Sequence, residues 1–261
     1  MLISDLSIVR AAHIILASAS PRRSSILNDQ LQLSARVVPS TFSEDLDKSA
    51  FAAPSEYVAE TARQKALDVF GRCQKPFIVE HERPPSLIVG ADTVVVCDGA
   101  ILEKPTSTED ARRMLRDLSA AGTHRVCTAV SLIYGGSAVG DTPHEHTFVE
   151  ETTVAFRSLD EAEIEAYVAS GEPMDKAGAY AIQGLGGVFV ERIEGDYSNV
   201  VGFPAARFCY ELETTRLAEW VEAAPAPEAA PVLVDEDPCD PLADIISDEC
   251  LDEDECGLPS D

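Results

Sequence analysis

The sequence has no uninterrupted apolar run near the roughly 18 residues of a membrane-spanning helix. Residues 1–12 also lack the basic-then-apolar order of a secretory signal, so we expect an unexported, cytoplasmic protein with no membrane partner. Basic residues are scarce, with 20 lysines and arginines against 46 aspartates and glutamates and a formal charge of -26. This acidity argues against a general nucleic-acid-binding protein, because a phosphate backbone would be repelled.

The sequence also lacks a C-x-x-C pair, and its seven cysteines are scattered and odd in number. This usage favours a reducing compartment over a disulfide framework. With 261 residues, of which 45% are hydrophobic, the chain is long enough to bury a sizeable core. It should therefore hold one large or two small domains.

The acidity is concentrated at the C-terminal end of the chain. Residues 222–261 contain 14 acidic and no basic residues, together with six of the 16 prolines. Such a segment buries too little apolar surface to offset its chain entropy. We therefore predict a folded domain at residues 1–221 and a disordered acidic tail at 222–261. The tail is either a partner-binding or solubilising segment or, as we favour, a dispensable extension.

Within residues 1–221, apolar strands alternate with amphipathic helices, which favours an α/β or α+β sheet protein over a bundle or a sandwich. Strands are predicted at residues 13–17, 87–97, 125–134, 148–156 and 188–193. Helices are predicted at residues 21–28 and 55–70, after capping boxes that start at Ser107 and Ser158, and from Pro204 through Trp220.

The first segment with chemical character is Ser18-Ala-Ser-Pro-Arg-Arg23. Ser20 is placed to cap a helix, and Pro21 suits its first turn. Exposed backbone N–H groups beside two guanidinium groups form a cradle for an anion. Arginines in a first helical turn are locally unfavourable, which suggests an anionic ligand. The alternative is a pair of solvated arginines on a surface helix, and this segment alone does not separate the two.

The second segment is the strand Val89–Val96, which Asp92 interrupts. Burial of an unpaired carboxylate is very costly, so Asp92 is expected at a strand end in a polar cleft. There it would bind a metal or act as a base. A structural aspartate that caps a neighbouring loop is a serious alternative.

Two lysines and a glutamate complete the set of candidate charges. Lys65 lies on the apolar stripe of the helix predicted at residues 55–70, and Lys104 follows the Asp92 strand in the loop 102–105. If both reach the cleft with Arg23, three cations are available for a polyphosphate. Glu44 would then join Asp92 in holding a divalent cation through oxygen ligands. The ordinary alternatives are a lysine that extends to solvent and a solvated glutamate.

The last segment is rich in glycine and lies at residues 175–187. Glycines 178, 184, 186 and 187 allow a close approach of the backbone, and Gln183 offers both a donor and an acceptor for a base edge. Glycine-rich loops are common turns, so this signal is weak alone. Its spacing matches neither a P-loop nor a dinucleotide fingerprint.

Taken in order, these segments resemble the motifs of the Maf family of nucleotide pyrophosphatases. The matching motifs are Ala17–Arg23, Lys65-Ala66, Gly90–Thr93, Glu103–Pro105, Asp175–Tyr180, Ile182–Gly184 and Asp196–Pro204. The resemblance implies a mixed, twisted α/β sheet with flanking helices and a deep central cleft, as in inosine-triphosphate pyrophosphatases. It also implies an assembly that is often a homodimer.

The resemblance further implies the reaction, in which a nucleoside triphosphate and water give the monophosphate and pyrophosphate with the help of Mg or Mn. Asp92 would then be the general base, with Arg23, Lys65 and Lys104 on the phosphates and with Glu44 and Asp92 on the metal. The expected substrate-binding residues are Ser18, Ser20, Arg22, Thr93 and Gln183.

Within that resemblance, Arg22, Thr93 and Gln183 fit the branch that acts on dTTP and UTP. The branch that acts on 7-methyl-GTP typically has Trp in place of the first arginine. We therefore expect a dTTP and UTP pyrophosphatase that also accepts modified pyrimidine nucleotides. The alternatives are a purine or 7-methyl-GTP pyrophosphatase and a nucleotide-binding regulator of cell division.

Overall fold

The computed structural model describes residues 9–10, 12–73, 87–135 and 142–215. The tail predicted at residues 222–261 and the helix end predicted at Trp220 lie outside these residues and stay predictions. Across the described ranges, no helix has both the length and the apolar character needed to cross a membrane.

A mixed β-sheet of seven strands forms the centre of the described chain, in the order β2-β1-β3-β5-β6-β7 with β4 paired to β3. β1 runs parallel to β2 and β3, and the other pairs are antiparallel. The expected mixed α/β fold is confirmed. The strands are β1 Ile14–Leu16, β2 Arg36–Val37, β3 Leu87–Cys97, β4 Ala100–Leu102, β5 Thr123–Tyr134, β6 His144–Phe156 and β7 Val190–Glu194.

Helices cover both faces of this sheet. The long helix α2 packs on one face, where it buries apolar side chains against β3 and β5. On the other face, one core contains α6 and a second core contains α3 and α4. The helices are α1 Pro21–Ser25, α2 Pro54–Cys73, α3 Thr108–Ala121, α4 Glu161–Ala169, α5 Tyr197–Val201 and α6 Ala205–Thr214.

Two helix starts differ from the prediction. Ser20 occupies the position before α1 but makes no side-chain cap; its N–H instead donates to the Ser18 hydroxyl. The capping box of α4 is formed by Asp160 and Glu163 rather than by Ser158 and its partner three residues on. The box requires reciprocal bonds to the backbone N–H groups of both residues, and Asp160 is the residue that holds an extended conformation there.

Short elements were missed. β4 is three residues long, and the Asp98-Gly99 turn joins it to β3 with φ values of 48° and 82°. This dipeptide is a known signal for a tight hairpin. Residues 188 and 189 lie in a 3-10 turn rather than in β7, and α1 continues as a π-helical turn through Gln30.

The core is interrupted at one level of β3, on both faces of the sheet. On the face of α2, the apolar clusters include Ile88 and Val94 but neither Gly90 nor Asp92. On the opposite face, Thr93 separates the two cores. β1 pairs with β3 only at residues 87–89 and β4 only at residues 95–97, so the edge between them has no strand partner among the described residues.

Gly90 controls how closely α2 approaches β3. A Cβ atom at this position would lie 2.3 Å from the Ala62 carbonyl oxygen and 2.8 Å from the Ala66 Cβ. We expect Gly90→Ala to reduce the free energy of unfolding by about 1–3 kcal/mol, because helix and strand must separate. Urea denaturation measures this change. Gly71→Ala in α2 is the matched control, since its Cβ meets nothing within 4 Å; equal stability of both variants would contradict the close packing.

His124 makes the stability depend on pH. Its side chain is 3% exposed, its Nε2 lies 2.8 Å from the Tyr180 hydroxyl, and burial lowers its pKa from 6.5 to about 4. The unfolded chain therefore binds the proton more readily than the folded one. The free energy of unfolding should be highest above about pH 6.5 and fall by roughly 3 kcal/mol toward pH 4 on this account.

Unfolding curves across this pH range test the assignment. His124→Gln should reduce the difference in the free energy of unfolding between pH 6.5 and pH 4. The control is the same exchange at His144, on the exposed start of β6, which should leave this difference as in the wild type. An unchanged slope in His124→Gln would show that other groups cause the loss.

Candidate active site

A cavity of about 550 Å³ opens beside β3, at the edge between β1 and β4 where none of the described strands pairs with it. All ten residues predicted to form the site line it, although they come from six separate parts of the chain. These residues are Ser18, Ser20, Arg22, Arg23, Glu44, Lys65, Asp92, Thr93, Lys104 and Gln183.

Lys65 connects two carboxylates at the inner end of the cavity. Its Nζ lies 2.8 Å from Asp92 Oδ1 and 2.8 Å from Glu44 Oε2. The Lys65 side chain is only 8% exposed, so it points into the site rather than along the surface to solvent. Glu44 comes from the loop between β2 and α2 and is about half exposed. The two carboxylates therefore lie against the same ammonium group.

The prediction that Asp92 lies at a strand end is wrong. Asp92 lies in the middle of β3, where it pairs with Ala129 of β5. The polar environment arises because its other neighbour, β1, stops at Leu16. Burial raises the pKa of Asp92, and this effect outweighs the opposing effects of Lys65 and Arg23. Without added ligands, its carboxylate is thus a stronger base than an exposed aspartate.

Glu44 shows the opposite balance. Its partial burial raises the pKa, but Lys65, Lys104 and Arg23 together more than offset this and hold the pKa below its usual range. Glu44 therefore remains a carboxylate at neutral pH. Two neighbouring acidic groups with opposite shifts can serve different roles, one as a base and one as a fixed charge.

Arg23 is held by three hydrogen bonds within the protein. Its Nε donates to the Gly202 carbonyl, and its two terminal nitrogens donate to Ser18 Oγ and Thr93 Oγ1, all at 2.9 Å. A guanidinium has five N–H groups, so two remain for a ligand. Burial lowers the pKa of Arg23, while Asp92 and Glu44 raise it. The arrangement fixes a positive charge in one orientation.

Sequence reasoning gave no role to Asp175 and Lys176, although it quoted their motif. Asp175 lies 3.6 Å from Arg22 across the cavity and also pairs with Lys176. Lys176 lines the cavity, and its Nζ donates to the Glu172 carbonyl at 3.0 Å. The Asp-Lys pair in a glycine-rich loop was the available signal.

The loop that carries Lys104 is tied to α2. Glu103 accepts a 2.6 Å hydrogen bond from the Tyr57 hydroxyl and a 2.6 Å bond from Lys48 Nζ. Tyr57 lies near the start of α2, and its side chain is buried in the core. Lys104 itself is exposed at the edge of the cavity. Glu103 therefore positions this lysine, which sequence reasoning did not foresee.

Thr93 and Gln183 also line the cavity. Thr93 Oγ1 bonds Thr128 Oγ1 at 3.0 Å, below the contact with Arg23. Gln183 is exposed, and among the described residues that line the cavity it is the one with a side-chain amide. Of the glycines that follow it, Gly184 and Gly186 lie against side chains, and Gly187 lies against the Ile182 carbonyl.

The lining charges nearly balance. Five cationic side chains face four carboxylates, the latter being Glu44, Asp92, Glu103 and Asp175. A ligand with several negative charges would be attracted by the cationic side chains, but it would also be repelled by the carboxylates. Such a cavity suits a polyanion that arrives with a compensating cation.

The chain is similar in sequence to a known protein family and to proteins that carry a name. The family described as "Maf-like protein" matches residues 13–215. A human protein named "Probable bifunctional dTTP/UTP pyrophosphatase/methyltransferase protein" is 48% identical over 200 residues, which cover 76% of this chain and 31% of the human protein. The chain thus spans less than a third of that relative.

Two shorter relatives match over most of their length. Proteins named dTTP/UTP pyrophosphatase from Thermococcus kodakarensis and Shewanella denitrificans are 46% and 44% identical, and the matches cover 73% of this chain and 90% and 89% of theirs. A solved dITP/XTP pyrophosphatase from Mycobacterium abscessus has 11% identity and a TM-score of 0.36, with 79% of this chain and 97% of that chain covered. From the family match and the motifs gathered around the cavity, this chain belongs to the Maf family.

Proposed function

We propose that this protein hydrolyses dTTP and UTP to the monophosphate and pyrophosphate. The observation that carries the proposal is the contact of Lys65 with Asp92 and Glu44 in a cavity that Arg23 also lines. The names of relatives that are 44–48% identical supply the substrate class. A cytoplasmic location, a homodimer and acceptance of modified pyrimidine nucleotides stay part of this proposal.

In the proposed reaction, water attacks the α-phosphorus and the bond from this phosphorus to the α–β bridging oxygen breaks. Asp92 accepts a proton from the attacking water. Lys65 fixes the orientation of the Asp92 carboxylate. Arg23 and Lys104 lie where they can compensate the charge of the phosphates and of the departing pyrophosphate.

Glu44 and Asp92 fit a divalent cation. Both carboxylates contact the Lys65 ammonium at 2.8 Å and so lie close together, and oxygen ligands suit Mg²⁺ and Mn²⁺. No group of three or more His, Cys, Asp or Glu side chains suited to a metal occurs in the described part of the chain. Two carboxylates are sufficient for Mg²⁺, which usually takes its remaining ligands from water and substrate phosphates. When bound, the cation would neutralise phosphate charge and polarise the phosphoryl group.

Gln183 is the residue proposed to read the base. Uracil and thymine share an O4 acceptor where cytosine has an N4 donor, so a correctly held amide can distinguish them. Arg22 and Thr93, which also line the cavity, complete the set proposed for the substrate, together with Ser18 and Ser20.

A panel of triphosphates tests the proposed activity. With Mg²⁺ or Mn²⁺, kcat/KM should be roughly tenfold or more higher for dTTP and UTP than for CTP, GTP, dATP and 7-methyl-GTP. The products should be monophosphate and pyrophosphate, and reaction in H₂¹⁸O should place the label in the monophosphate. Label in pyrophosphate, or release of orthophosphate, would exclude attack at the α-phosphorus. A preference for purines or 7-methyl-GTP would select the alternative pyrophosphatase, and nucleotide binding without turnover would favour the regulator.

Asp92→Asn tests the proposed base. We expect kcat for UTP to fall by about 10²-fold or more, because the amide cannot accept the proton. Binding of a non-hydrolysable α,β-imido UTP analogue should persist, since the exchange removes a negative charge from the cavity. Asp117→Asn, at an exposed ion pair on α3, is the matched control. Turnover retained in Asp92→Asn would remove the assignment, and thermal unfolding checks that both variants are folded.

A further inference from the structure

The carboxylate of Glu172 holds the loop that follows Gln183. Glu172 begins a 3-10 turn just after α4, and its Oε2 accepts the backbone N–H of Leu185 at 3.0 Å. Its Oε1 accepts the backbone N–H of Gly186 at 3.1 Å. Burial raises the pKa of Glu172, but these two backbone bonds lower it below its usual range. The group therefore accepts both bonds as a charged carboxylate.

Tyr167 of α4 holds the same loop on the other side of Gln183. Its hydroxyl donates to Glu172 Oε1 at 2.8 Å and accepts the backbone N–H of Ala181 at 3.1 Å. Tyr167 is 4% exposed and packs edge-on against Phe189. The pair Tyr167 and Glu172, here called the clasp, thus bonds the backbone both before and after Gln183.

The clasp also explains two glycines. A Cβ at residue 184 would lie 2.3 Å from Glu172 Oε2, and a Cβ at residue 186 would lie 2.7 Å from the Tyr167 hydroxyl. Gly184 has a φ of -110°, which any residue adopts, so the carboxylate rather than the backbone conformation requires glycine there. The clasp therefore leaves no room for a side chain at residues 184 and 186.

From this geometry we propose that the clasp is a positioning element for base recognition, which fixes the place of Gln183 in the cavity and thereby the preference for uracil and thymine. This inference rests on the proposed function, because it assumes that Gln183 contacts the base. The clasp does not line the cavity and acts only through the loop.

Glu172→Gln removes part of the clasp with little change in volume. Glu172 uses both of its oxygens as acceptors, whereas an amide has only one acceptor atom. One backbone N–H of the loop must then face an NH₂ group. Tyr167→Phe is a second variant, which removes the hydroxyl that contacts both Glu172 and Ala181.

A double-mutant cycle with Gln183→Ala tests the inference. We expect Glu172→Gln to lower the ratio of kcat/KM for UTP over CTP by about tenfold, mainly through a higher KM for UTP, with kcat nearly unchanged. In the Gln183→Ala background, the same exchange should leave the ratio unchanged. Additive effects, or an unchanged ratio in both Glu172→Gln and Tyr167→Phe, would overturn the proposal.

Glu165→Gln is the matched control, since this residue lies on α4 and forms an exposed ion pair with Arg112. It should leave the ratio and both kinetic constants as in the wild type. Hydrogen exchange of the Ala181, Leu185 and Gly186 amides gives a readout that needs no turnover. Faster exchange confined to this loop in Glu172→Gln supports the clasp, and unchanged exchange contradicts it. Failure of the wild type to hydrolyse any triphosphate would overturn the proposed function, while the exchange experiment would still decide the clasp.

Discussion

The contact of the Lys65 ammonium with Asp92 and Glu44 constrains the whole site. Lys65 and Asp92 are both largely withdrawn from water, and removal of one partner would leave an uncompensated buried charge. Such a pair is costly to bury and adds little to stability compared with apolar residues of the same volume. Its presence in the centre of the sheet is therefore better explained by the chemistry it allows than by the stability it adds.

The sheet accommodates this contact because, in the described part of the chain, no strand pairs with β3 between the end of β1 and the start of β4. The missing strand makes room for water and ligand, while the continuous pairing of β3 with β5 keeps the backbone at Asp92 fixed. Gly90 lets α2 approach so closely that Lys65 reaches the carboxylate. A long strand, a long helix and one small residue thus set the geometry of the charged groups.

Much of this could be predicted from the sequence, because some residues violate the pattern of their own element. Asp92 breaks an apolar strand, and Lys65 lies on the apolar face of a helix. Glu172, by contrast, is one of 46 acidic residues, and nothing local marks the backbone amides that it binds 13 and 14 residues later. Short strands such as β2 also have too few residues to show a period. Long-range partners and short elements depend on tertiary structure, which pattern alone does not contain.

Two parts of the cavity lining are built from different kinds of structure. The charged residues around Asp92 come largely from a central strand, a long helix and an arginine fixed by three bonds, so their relative positions change little. Gln183 lies instead in a loop, which lacks the regular backbone hydrogen bonds that hold a strand or a long helix. Hydrogen bonds between the backbone of this loop and the side chains of Tyr167 and Glu172 take the place of those regular bonds. Because the two supports share no residue, substitution in or beneath the loop can move Gln183, and under the proposed function change base preference, while the charged groups around Asp92 keep their geometry.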